Sequence, residues 1–337
     1  MRKIAPFRDI VALISLWNLF RRERFDIIHS MSPKAGLLAT VAGFLAGVPV
    51  RIHWFTGQVW ATKRGLMRIL LKTMDIITSR CATDLLSDSH SQAKFLRTEK
   101  VTSTGKIQVL ASGSTCGVDI LRFHPDLETR NRIRAVHEIP DEATIALFVG
   151  RMQPEKGIRE LCTAFLAAAK SCPNLHLMLV GPDEAGMEKY NRTVLAEATK
   201  KLHWVGLADK PEEYMAAADI LILPSYREGF GSVVIEAAAC GIPSIGTNIY
   251  GLSDAIIDGV TGFLVPVANA KALQAAILRL SVDVVKRKEM GERALTRVLT
   301  SFRQDILVEA LLKYYECILH ANKTMMDKER TVRKSVV

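Results

Sequence analysis

Apolar segments at Thr144–Val149, Leu175–Val180 and residues 219–223 recur with helical patterns between them, and this rhythm restricts the fold more than any other feature of the chain. The last of them, Asp219-Ile220-Leu221-Ile222-Leu223, is apolar on both faces, as a parallel strand covered by helices on either side should be. The series continues through a strand at 203–206, a helix over 212–218, a helix carrying Glu236 and a strand over 243–246. Strand, helix, strand at this spacing predicts a parallel, doubly wound α/β sheet. Ligands of such sheets bind beyond the carboxyl ends of the strands. Gly150-Arg151, Gly181-Pro182 and residues 225–231 all fall there.

The first half has the same rhythm, with strands expected at 25–29, 48–55, 84–88 and 106–110 and helices at 35–46 and 66–82. A polar, proline-containing stretch over 123–141 lacks strong periodicity and reads as the connection between two Rossmann-like halves. A cleft between the halves is the expected place for substrates. A chain of 337 residues is long enough for two cores. Its most apolar run, residues 36–50, is too short and too rich in glycine to cross a bilayer, and no signal peptide is read. The six cysteines show neither Cys-x-x-Cys pairing nor metal-ligand spacing, which suits a reducing cytoplasm.

The segment Tyr226-Arg227-Glu228-Gly229-Phe230-Gly231-Ser232-Val233-Val234-Ile235-Glu236 sets two carboxylates with seven residues between them across a glycine-flanked turn from strand into helix. Ser232 is expected to cap that helix, whose free N–H groups suit an anion. Glu228 on the loop and Glu236 one turn inside can reach different parts of one polyhydroxylated, phosphorylated ligand. Each glutamate alone also fits an ordinary capping or solvated role. Gly150 ends a strand, and Arg151 and Lys156 follow in the loop before the next helix. Two cations beside a helix N-terminus point to a diphosphate, although a solvated basic loop has the same composition. No Asp-x-Asp pair stands at a strand end to hold a divalent ion, so no metal and no cofactor are expected.

Three blocks together, Gly150-Arg151-Met152-Gln153-Pro154-Glu155-Lys156-Gly157, the Glu228–Glu236 cassette, and Asp258-Gly259-Val260-Thr261-Gly262-Phe263-Leu264-Val265-Pro266, resemble the retaining glycosyltransferases of family 4. The resemblance is strong over residues 145–266 and looser back to residue 26. It implies the GT-B fold, two Rossmann-like doubly wound domains facing a cleft. Residues 1–122 would form an acceptor domain and 140–304 a donor domain. A terminal helix over 305–322 would return to the first domain, leaving a frayed tail at 323–337. By resemblance, Glu228 would bind donor-sugar hydroxyls and Glu236 the ribose, with Phe230, Gly231 and Ser232 presenting backbone to the phosphates; Gly181 and Gly229 are further donor-binding candidates, and the choice of sugar is expected to depend on the side chains around Gly181 and residues 226–230. Retention in this family is ascribed to same-face attack, with the leaving phosphate taking the acceptor's proton, so neither glutamate is assigned as a covalent nucleophile.

The chain opens on a helical pattern and not on the apolar strand and glycine-rich turn of a complete first domain, so that domain reads as incomplete. Two readings follow. One is an enzyme moving a sugar from a UDP-sugar to a lipid-linked saccharide in surface polysaccharide assembly (O-antigen, capsule or exopolysaccharide). The other is a truncated, non-catalytic remnant that only binds a nucleotide-sugar. A GT-B epimerase or phosphorylase ranks last, since nothing resembles a pyridoxal phosphate lysine segment.

Within the first half, the strand ending His53-Trp54-Phe55-Thr56-Gly57-Gln58 lies where relatives place a histidine near the sugar. Thr56 takes that position, and it and Gln58 could contact sugar or acceptor, whereas His53 is either a site residue or a satisfied core histidine. Lys34 opens a helix and could meet an acceptor phosphate or simply be solvated. Arg64, Arg68 and Lys72 form a basic stripe beside Leu66, Ile69, Leu70 and Leu71, and Arg21, Arg22 and Arg24 follow Trp17 and Phe20 in the same way; such charged faces fit a membrane-facing role or plain solvation equally. The formal net charge of +10 is concentrated here: residues 1–124 hold 18 Lys+Arg against 8 Asp+Glu, whereas the remainder holds 27 of each. With no nucleic-acid motif present, the basic half suits the anionic inner face of the cytoplasmic membrane, as a peripheral protein.

Overall fold

The computed structural model describes residues 6–103, 105–188 and 200–335, with side chains over 7–322 of these. The chain forms two compact units. One comprises the described residues up to Gly113 and those from Asp305 onward, and the other runs from Ser114 to Gln304.

In the second unit six strands lie in the order β10-β9-β8-β5-β6-β7, all parallel. They are β5 (Thr144–Val149), β6 (Leu175–Val180), β7 (Leu202–Gly206), β8 (Ile220–Leu223), β9 (Ser244–Thr247) and β10 (Gly262–Val265). The order reverses between β5 and β8, because β6 and β7 are laid down on one side and β8 returns to the other. A doubly wound sheet opens its ligand crevice at such a switch point. The central strands carry no polar face: Ile145, Ala146, Leu147, Phe148, Leu177, Leu179, Leu221 and Ile222 are all fully buried. Helices at Ile158–Ser171, Ser232–Ala239, Ala270–Val282 and Val284–Ser301 supply the covering layers.

The stretch expected to connect the halves instead contains a helix, Leu127–Val136, within this unit. Asp126 caps it, its carboxylate accepting from the Thr129 N–H at 3.0 Å. The helix escaped the sequence reading because it is not held by an apolar stripe. Arg134, 1% exposed, pairs with Asp219 at 2.7 Å and donates to the carbonyls of Pro140, Asp141, Ala143 and Ala217. Arg130 takes the other Asp219 oxygen at 2.8 Å.

The first unit carries a four-stranded parallel sheet in the order β1-β2-β3-β4: Ile27–Ser30, Val50–Phe55, Asp84–Ser87 and Ile107–Gln108. Strand alternation sorts β2. Val50, Ile52 and Trp54 pack with Leu86, Leu307 and Tyr314, so the terminal helix covers that face, while Phe55 joins Trp60, Leu85 and Leu96 on the other. The terminal helix spans Gln304–Ser335, so the segment expected to fray from residue 323 continues it. Among the described residues this unit begins with the helix Pro6–Glu23 and its first strand is Ile27–Ser30.

Candidate functional site

The carboxyl ends of β5, β6 and β8 bring the motif residues of the second unit together. Gly150 follows β5 and Gly181 follows β6, the Gly150 N–H donating to Val180 at 2.9 Å and the Gly181 N–H to Gly206 at 2.7 Å. The two loops nearly touch: a Cβ on Gly181, at φ +133, would stand 2.0 Å from the Gly150 carbonyl oxygen. After β5 the chain makes a single 3-10 turn, Pro154–Lys156, and Gly157 at φ 70 turns it into the helix Ile158–Ser171. There the β8 loop presses in, since a Cβ on Gly157 would meet the Pro224 carbonyl oxygen at 2.1 Å.

Across that approach lie four further contacts. Lys156 pairs with Glu228 at 2.6 Å, both side chains mostly buried at 19% and 14% exposed. Arg227 pairs with Glu155 at 2.7 Å. The Tyr226 N–H donates to the Glu155 carbonyl at 2.9 Å, and the Tyr226 hydroxyl donates to the Glu160 carboxylate at 2.6 Å. Burial and that bond to an anion push the Tyr226 phenol up to about 12, so it stays a donor. Arg151 is half exposed and held loosely, 3.5 Å from Glu184, which also accepts from the Gln153 amide.

The helix Ser232–Ala239 begins one loop further on, with Gly231 at φ 81 as its cap and no side-chain cap bond. Ser232 is therefore the first helical residue and not the cap expected of it. The reason is steric: the turn needs a left-handed residue at the cap, and a Cβ on Gly231 would lie 2.4 Å from Leu252. Phe230 offers only backbone to a ligand, because its ring is 2% exposed and packs on Phe302 at 5.3 Å between centroids. Glu236, one turn into the helix, has its pKa raised by burial, with Arg122 opposing and Glu212 adding to the shift. Arg122 pairs with Glu212 at 2.7 Å.

The residues flagged in the first unit fare differently. His53 is 2% exposed, bonded to the Ser30 hydroxyl at 2.9 Å and set edge-on to Phe55, and burial, with His29 nearby, takes its pKa down to about 3. A Cβ on Gly36 would lie 2.2 Å from the imidazole, so that glycine exists to admit the ring. His53 is thus a neutral core histidine, the blander of the two sequence readings. Thr56 lies at the end of β2, its hydroxyl 3.5 Å from the Met31 carbonyl. The cations are spent in part: Lys34 pairs with Asp9 at 2.6 Å, and Arg68 and Lys72 both hold Glu99, at 2.9 and 2.7 Å, while lying over the Trp60 ring. Arg64 stands at the N-cap of the helix Gly65–Cys81 without a side-chain cap bond.

Sequence reasoning missed Glu155, Glu160 and Glu184 as site-building residues, and the pairings of Tyr226 and Arg227 with the β5 loop and the helix after it. Glu155, Tyr226 and Arg227 lie inside the quoted motifs. Their partners are 66 to 72 residues away, and no local pattern reveals such pairs. A cavity of about 430 Å³ lined by Arg130, Asp219, Cys240 and Arg287 opens elsewhere, at the amino ends of β8 and β9, and shares no residue with this site.

Residues 129–297 match the family model "Glycosyl transferases group 1", and residues 2–113 match "Glycosyl transferase 4-like domain". The chain is 31% identical over 320 residues to the capsular polysaccharide biosynthesis glycosyltransferase CapM of Staphylococcus aureus, covering 94% of this chain and 83% of that one. It is 27% identical over 288 residues to the UDP-Gal:alpha-D-GlcNAc-diphosphoundecaprenol alpha-1,3-galactosyltransferase of Escherichia coli, covering 84% and 73% respectively. Among solved structures, HepE of Anabaena in complex with UDP superposes with a TM-score of 0.78 at 18% identity, over 90% of this chain and 82% of that one, a likeness of fold.

Proposed function

The chain belongs to the group 1 glycosyl transferases and has their two-domain GT-B fold, and from that premise we propose that it moves a sugar from a UDP-sugar to a lipid-linked saccharide, with retention, in surface polysaccharide synthesis. The observation that carries the reading is the Lys156–Glu228 contact at the switch point of the second sheet. One cation and one carboxylate are held there in a largely buried place, each matched to a different half of a nucleotide-sugar. The diphosphate takes Lys156 and Arg151 together with the N–H groups at the start of Ser232–Ala239, and the sugar hydroxyls take Glu228. Glu236, half-buried on that helix, takes the ribose hydroxyls. The names of the S. aureus and E. coli relatives support a polysaccharide product and a diphospholipid-linked acceptor, and HepE with UDP supports the nucleotide.

In this scheme the acceptor hydroxyl attacks the anomeric carbon on the face the leaving group departs. The bond from that carbon to the β-phosphate oxygen breaks, the new glycosidic bond forms, and the acceptor's proton passes to the departing phosphate. The charge on the departing diphosphate is met by Arg151, Lys156 and backbone donors aimed at it in advance. Transfer is accordingly independent of divalent metal. In an assay of the protein with UDP-sugars and an undecaprenyl-diphosphate-linked acceptor, a chelator should leave the rate within about twofold of the untreated value. Complete loss on chelation, with recovery on adding magnesium, would contradict the scheme.

A lipid-linked acceptor places the reaction at a membrane surface. No helix among the described residues is long and apolar enough to cross one. The first unit nevertheless exposes Phe7, Ile10, Val11 and Ile14 along one helix and Leu66, Met67, Ile69 and Leu70 along another, with Arg64 beside the second. An apolar face edged by cations suits the anionic inner leaflet of the cytoplasmic membrane. Flotation with phosphatidylglycerol vesicles should carry the protein, and binding should weaken as salt is raised. Equal flotation with neutral phosphatidylcholine vesicles would count against it.

A further inference from the structure

The proposed donor site contains an internal tension. Lys156 and Glu228 hold each other at 2.6 Å, and this pair is one of the struts between the β5 loop and the β8 loop. A nucleotide-sugar bound as described competes with this contact, its diphosphate for the cation and its sugar for the carboxylate. A donor that draws the two apart takes a cross-link from the loops just when their spacing has to be held.

Adjacent residues supply the replacement. Glu155 immediately precedes Lys156 and Arg227 immediately precedes Glu228, and these two neighbours pair with each other at 2.7 Å with 26% and 19% of their side chains exposed. The Tyr226 backbone N–H donates to the Glu155 carbonyl at 2.9 Å, and the Tyr226 hydroxyl reaches Glu160 at 2.6 Å in the first turn of the following helix. The register is thus doubled, one pair of residues facing the ligand and a second pair one position earlier in each loop that the ligand does not need. We propose that Glu155 and Arg227, with Tyr226 on Glu160 as a second strut, are positioning residues that keep the phosphate-binding and sugar-binding loops in register after the donor has parted Lys156 from Glu228. This deepens the donor-site reading and rests on it.

Preorganised loops spare the ligand the cost of ordering them, so losing the clamp should appear chiefly as weakened nucleotide binding. The test is calorimetric titration of the full chain with UDP and with GDP, alongside thermal unfolding. Arg227→Ala and Glu155→Ala are each expected to weaken nucleoside diphosphate binding about tenfold while the melting temperature falls only a few degrees, because the pair is partly exposed. The reversed pair, Glu155→Arg with Arg227→Glu, should return affinity to within about threefold of wild type, a rescue that loss of unrelated packing would not give. Tyr226→Phe removes a single hydroxyl and serves if either alanine variant fails to fold, with a smaller loss of about threefold expected. Wild-type binding by all single variants overturns the clamp, as does a reversed pair no better than either single change. Wild-type protein that binds neither nucleotide overturns the donor reading and the clamp with it.

Discussion

Lys156→Ala is expected to lower kcat/KM for transfer by about 10² to 10³, with the loss appearing already in nucleoside diphosphate binding. Two effects add. The change removes a cation from the proposed diphosphate site, and it leaves the Glu228 carboxylate, 14% exposed, without the partner that compensates its burial. Both side chains are largely but not fully buried, so stranding the carboxylate costs more than the about 0.2–1 kcal/mol of an exposed pair and less than the about 3–5 kcal/mol of a fully buried one. The two contributions separate in a second variant. Lys156→Ala combined with Glu228→Gln should recover most of the lost thermal stability, since no buried charge is stranded, yet it should not recover transfer. A single variant that retains kcat/KM within threefold of wild type would show that the cation does not meet the diphosphate.

Gly181→Ala should act through the fold and not through the ligand. The residue sits at φ +133, where side chains are strained, and its missing Cβ would lie 2.0 Å from the Gly150 carbonyl oxygen, a backbone atom that has no free rotor to move. Such backbone strain costs about 1–3 kcal/mol before any clash is counted, so the total should reach about 4 kcal/mol. For a unit of this size that corresponds to a drop in melting temperature on the order of 10 °C. Because Gly150 leads directly into Arg151, nucleotide binding should weaken as well. Scanning calorimetry showing a shift under about 2 °C would mean that the β5 and β6 loops are not packed as described.

How much of this was legible in the sequence followed the physical origin of each feature. Thr144–Val149 and Leu175–Val180 appear as strands with the boundaries read from the sequence, because continuous burial leaves no polar face and a glycine follows each. The family resemblance rested on three motif blocks and is met by the matched family models and by the fold. The helix Leu127–Val136 was hidden because its anchor is a charge network to Asp219, which periodicity of apolar residues does not register. Ser232 looked like a cap by residue type, but the left-handed turn at Gly231 took the cap position. Lys34, Arg68 and Lys72 read as available cations, whereas Asp9 and Glu99, 25 or more residues away, already hold them. The Glu155–Arg227 and Glu160–Tyr226 contacts were out of reach for the same reason, as they join loops that only the folded sheet brings side by side.

In the proposed scheme the carboxyl ends of β5 and β8 hold an activated sugar between Lys156 and Glu228. The most direct measurement is a crystal structure of the protein soaked with a UDP-sugar. Pyrophosphate density is expected against Lys156 and Arg151 at the N-terminus of Ser232–Ala239, with the Lys156–Glu228 contact opened and Glu228 on the sugar. Ligand density at the opposite, amino ends of β8 and β9, or a bound nucleotide that leaves the Lys156–Glu228 pair closed at 2.6 Å, would contradict it.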